Sequence, residues 1–219
     1  MSPSRSRVFR NVFCERIAVA PGVQAVTHAT AGYGTGMSRT CCFAVDGYSH
    51  QSSEDREIAT VGVDAEYFST MRIPLLFGRS FSLTDLTGNQ GRPSSIIVND
   101  TFARRYLQGG EPIGRRIGWG NPPNVTSGME VIGVAGDAVY NDPRQPARPL
   151  IYLPSDAGAV LLVRTVGPPE EMVALLTREI RLLEPGLSSR RSLDPHCSRG
   201  GSLVRERCRS LPASLERSP

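Results

Sequence analysis

The chain has 219 residues, of which 39% are hydrophobic and 21% charged, a balance that excludes a disordered polymer and allows one core or two subdomains. Its net charge of +4 is not a footprint for nucleic acid: residues 1–187 hold 18 Arg against 18 acidic residues, and residues 188–219 hold 7 Arg against 3. No apolar run reaches the roughly 18–20 residues of a membrane span, and Arg5, Arg7 and Arg10 lead into Glu15 and Arg16, so no signal peptide is read.

In chain order, Val8, Phe9, Val12, Phe13, Ile17 and Ala20 recur at three- and four-residue spacing and predict a helix over 7–20, stopped by Pro21-Gly22. Strands follow over 23–30, 40–48 and 57–63, with the Gly-rich loop 31–39 between the first two. Asp64 is placed to cap a short helix through Met71, and Pro74 opens an extended segment through Phe81. Then come a strand over 95–98, a helix over 100–107 with Asn99 and Asp100 as capping residues, and strands over 114–119, 129–135, 150–153 and 160–165.

The strongest helix spans 168–184, with Pro168-Pro169 and Glu170-Glu171 at its start, Arg178 and Arg181 late, and Pro185-Gly186 beyond. Those charges complement the helix dipole. Met172, Leu176, Ile180 and Leu183 form a buried stripe, so this helix must lie on a sheet, and it is expected to share a core with strand 160–165 and the N-terminal helix. Residues 188–219 show no sustained period and read as a disordered or aberrant tail.

Motifs for chemistry are sparse. Gly32-Tyr33-Gly34-Thr35-Gly36 lacks the G-x-G-x-x-G spacing and leads into a strand, and a chain without Lys has no phosphate-binding Gly-Lys-Ser loop. Cys14, Cys41, Cys42, Cys197 and Cys208 are odd in number and have no C-x-x-C spacing, which supports neither zinc nor a disulfide framework. Cys41 and Cys42, adjacent on a strand, would point to opposite faces as packing residues.

His28, His50 and His196 form no helical i, i+4 pair, and no G-x-S-x-G elbow exists. His28 fits a half-buried strand wall. Asp137 follows Gly136 at the end of an apolar strand, where catalytic acids occur in α/β enzymes and where an Asp more often satisfies backbone amides in a turn. The expectation is therefore no catalytic, cofactor-binding or metal-binding residue; a small soluble enzyme using Asp137 or His28, a free-standing binding module and a nucleic-acid binder using the Arg-rich tail stand as alternatives.

An ordered set of segments carries a resemblance. It runs Tyr67-Phe68, Ile73-Pro74-Leu75-Leu76-Phe77-Gly78-Arg79-Ser80-Phe81, Ile97-Val98-Asn99-Asp100 with Ala103-Arg104-Arg105-Tyr106, Pro112-Ile113-Gly114-Arg115-Arg116-Ile117, Val131-Ile132-Gly133-Val134-Ala135-Gly136-Asp137, and Arg148-Pro149-Leu150-Ile151-Tyr152-Leu153-Pro154. In this order the chain resembles the MacB-like periplasmic core domain of FtsX-type ABC-transporter permeases over about residues 8–187.

The resemblance implies a two-lobed α+β fold: a βαβ porter-like lobe from residues 1–79 and 155–187, and an inserted mainly-β lobe from 80–154. It further implies a non-catalytic domain on the periplasmic or extracytoplasmic face of the bacterial inner membrane, coupled by shape change to membrane helices of a parent permease and a cytoplasmic ATPase; a homodimer is open, no cofactor is expected, and the neutral body argues against nucleic acid. Leu203-Val204-Arg205-Glu206-Arg207 matches the segment that precedes a membrane span in the family, whereas Arg209-Ser210-Leu211-Pro212 departs from it. That departure is the basis for expecting a truncated or frame-shifted fragment of a longer permease.

Overall fold

A computed structural model describes residues 12–32, 38–40, 43–45, 48, 58–87, 93–119, 128–138, 140, 146–157, 160–166, 169–183, 189–194 and 202–208. The chain divides into two compact units, one from Met1–His28 with Ala159–Pro219 and one from Ala29–Gly158.

In the first unit, helix α1 (12–18) presents Phe13 and Ile17, one turn apart and both buried. It ends as expected: Gly22 takes a positive φ of 82°, and strand β1 (Val23–Ala29) follows. Strand β10 (Val160–Thr165) lies beside β1, and helix α5 (Pro169–Leu183) supplies Met172 and Leu176 to the same apolar cluster as Phe13, Ile17, Leu161 and Val163. An ion pair of 2.8 Å between Arg16 and Glu179 joins the two helices at the rim of that cluster. The expected shared core of both helices and strand 160–165 is therefore present; the side chains of Ile180 and Leu183 lie outside the described residues.

Residues expected to form an irregular tail instead include two strands, β11 (Ser189–Asp194) and β12 (Ser202–Cys208), giving the order β11-β12-β10-β1. Strand β12 pairs antiparallel with β10 from Val160↔Arg207 to Thr165↔Ser202. The physical reason is ladder satisfaction: the buried strand β10 needs a backbone partner on its second edge, and a demand of that kind leaves no trace in side-chain periodicity.

The second unit is a mixed sheet in the order β4 (Ile58–Val63), β9 (Leu150–Pro154), β6 (Ser95–Asn99), β8 (Met129–Ala135), β7 (Arg116–Trp119), β3 (Phe43–Val45). Strands β4 and β9 run parallel, as do β6 and β8, while the other neighbours are antiparallel. Strand β2 (Ser38–Thr40) adds to β4 and β5 (Leu75–Gly78) to β8. The single strand expected over 40–48 is thus two strands with different partners, and Cys41 and Cys42 lie outside the described residues.

The unit boundaries fall at 28/29 and 158/159, whereas the sequence placed them at 79/80 and 154/155. Pairing accounts for the difference. Strand β4 matches β9 over five residues, from Ala59↔Leu150 to Val63↔Pro154, which ties the stretch near residue 60 to the second unit.

Helix α4 (Asp100–Tyr106) covers one face of this sheet. Its Phe102 and Tyr106 are buried with Phe43, Ile96, Val98, Ile117, Val131 and Ile151, and the Phe102 and Tyr106 rings are 4.9 Å apart. By strand alternation Ile97 and Tyr152, opposite each other in register, belong to the other face. There helix α2 (Tyr67–Met71) delivers Tyr67 and Phe68 to Tyr152.

Glu66 holds the N-cap position of α2 without a side-chain cap hydrogen bond, and the Asp64 backbone carbonyl accepts from the Tyr67 amide. A further helix, α3 (Leu83–Thr87), stands just past the extended segment and was not predicted. Its signal is Ser82-x-x-Asp85, in which the Asp85 carboxylate accepts from the Ser82 amide at 2.8 Å, an acidic variant of the capping box.

Candidate functional site

A dense polar constellation sits where β8 ends and α4 begins, and it brings Asp137 together with the capping residue Asn99. Asn99 caps α4, its Oδ1 accepting from the Phe102 amide at 3.0 Å and from the Leu150 amide at 2.8 Å. Its Nδ2 donates to Asp137 Oδ1 at 2.6 Å and to the Arg148 carbonyl at 2.9 Å. All four hydrogen-bonding valences of the amide are used, and the residue is 1% exposed.

Asp137 is equally committed. Besides Asn99, Oδ1 accepts from the Thr101 amide at 3.0 Å, and Oδ2 accepts from Thr101 Oγ1 at 2.7 Å and Arg104 Nη2 at 3.4 Å. Arg104 also pairs with Asp100 at 3.1 Å, one helical turn away. A general base needs a lone pair directed at substrate, whereas the two oxygens of Asp137 already receive four donors from its own fold. The arrangement can tie the segment after β8 to the α4 N-terminus, the amide-satisfying role expected of a turn Asp.

His28 lies in β1 of the first unit and is buried, more deeply than the half-buried wall expected for it. Asp137 belongs to the second unit, so the two candidate residues are not partners within either one. His50 and His196 lie outside the described residues. Among the described residues no cluster of three or more His, Cys, Asp or Glu is placed to hold a metal ion.

Two further constellations were not singled out from sequence. Arg79 grips Asp85 through both carboxylate oxygens, at 2.7 and 3.2 Å, and Asp85 also accepts from Ser95 Oγ at 2.8 Å. The guanidinium hydrogen bonds hold the Asp85 carboxyl well below the usual carboxylate range against the opposing cost of burial, with Ser82 and Ser95 adding to the effect. The second is a buried chain of phenols: Tyr67 and Tyr140 hydroxyls 2.6 Å apart, with Tyr140 donating to Tyr152 at 3.3 Å. Burial pushes the Tyr140 phenol well above its ordinary value.

Exposed large apolar side chains occur in both units, with Val12, Val19, Val166 and Leu182 in the first. In the second, Leu76 and Phe77 on β5 are 44% and 57% exposed, and Leu83 on α3 stands out in the same unit. Strand β5 is bulged between Leu75 and Phe77. Such a bulge is a device that blunts edge-to-edge pairing of strands. Among the described residues no helix is long and apolar enough to cross a membrane.

Comparison with known proteins completes the description. The family model of the MacB-like periplasmic core domain matches residues 9–181. The periplasmic region of MacB from Actinobacillus actinomycetemcomitans is similar in structure, with a TM-score of 0.53 at 16% identity over 79% of this chain and 73% of that one. The extracellular domain of the ABC-type transporter YknZ from Gram-positive bacteria gives a TM-score of 0.50 at 16% identity, over 80% of this chain and 81% of that one. A search of the curated proteins finds no relative. At these identities the structural likenesses establish the α+β fold, and the family match spans most of the residues that build both units; the chain belongs to the family of MacB-like periplasmic core domains.

Proposed function

We propose that this chain works as the extracytoplasmic domain of an ABC-transporter permease, passing conformational change between the membrane and a partner or cargo without chemistry of its own. The observation that carries the reading is the use to which its polar residues are put. Asn99, Asp137 and Asp85 spend their hydrogen-bonding capacity on donors and acceptors of the fold itself. A rigid transmitter needs such internal ties, and an active site needs the opposite, valences held open for substrate.

The family match supports the placement beside membrane helices and a cytoplasmic ATPase. Within this reading the unit that holds both chain ends is the porter-like lobe and the unit from Ala29 to Gly158 the inserted lobe. The exposed Leu76 and Phe77 are the contact surface offered by the inserted lobe.

Photo-crosslinking tests this directly. A photoreactive side chain is placed at Phe77 in the protein produced in its own host, and adducts are identified from the membrane fraction. Adducts with transporter subunits are expected. Adducts confined to cytoplasmic proteins, or a turnover by the purified chain that Asp137→Asn or His28→Gln abolishes without unfolding it, would overturn the proposal.

A further inference from the structure

We draw no further inference here: the strongest candidate, the exposed apolar patch of Leu76 and Phe77 on the bulged edge strand β5, carries nothing beyond the contact role already proposed because nothing in the structure shows what covers it.

Discussion

Asn99→Ala removes a single side chain that joins three parts of the second unit. The change takes the N-cap from α4, which costs about 1 kcal/mol. It also strands the buried Leu150 amide, which donates to Asn99 Oδ1 at 2.8 Å, at roughly 1–3 kcal/mol. The bond to Asp137 is charge-assisted, but water reaches that carboxylate and recovers part of it. The expected loss is therefore roughly 3–5 kcal/mol, a large fraction of the stability of an ordinary domain. Asn99→Ser separates the contributions, since Ser caps a helix about as well as Asn while its short side chain cannot span to Leu150 and Arg148. It should recover about 1 kcal/mol relative to Asn99→Ala. The sole tryptophan, Trp119, packs against the core of this unit, so its fluorescence during urea unfolding reports the relevant transition. An Asn99→Ala midpoint that translates to less than about 1 kcal/mol would refute the argument, because that is the cost of the cap alone. Equal midpoints for the Ala and Ser variants would refute the partition.

The Asp85 carboxyl is depressed in the folded state, so its stabilisation is complete above the unfolded value of about 4 and is lost as pH falls through the lower folded one. Wild type should thus lose stability more steeply than Asp85→Asn between about pH 4 and 2, as read from urea midpoints across that range; parallel curves would show that the pair contributes nothing. Gly78→Ala and Gly114→Ala both place a side chain at positive φ, 73° and 83°, which costs about 1–2 kcal/mol. Only at Gly78 would the new Cβ also collide with the Ile132 carbonyl oxygen, whereas Gly114 has open space. The Gly78 variant should be the less stable by a clear margin in thermal melts, and equal melting temperatures would contradict the packing. Asp137→Ala should cost about 0.5–3 kcal/mol, the usual range for a point substitution, and leave partner crosslinking at Phe77 intact; loss of crosslinking in a folded variant would assign Asp137 a role in binding.

Much of the local structure was legible in the chain. Phe13 and Ile17, Met172 and Leu176, and the Asn99 cap were all readable because each depends on neighbours three or four residues away, a distance that side-chain spacing records. The ordered segments from Tyr67 to Pro154 likewise carried the family, since the glycines and prolines in them answer to backbone demands. What sequence could not show was which strand pairs with which. The run over 40–48 was read as one strand, yet β2 lies on β4 and β3 on β7; strands β11 and β12 were read as tail until the edge of β10 required a partner. Partners such as Tyr67 with Tyr140, and Asn99 with Leu150, lie 73 and 51 residues apart. Their pairing is decided by the sheet that brings them together, because a hydrogen bond between distant residues imposes no period on the residues between them.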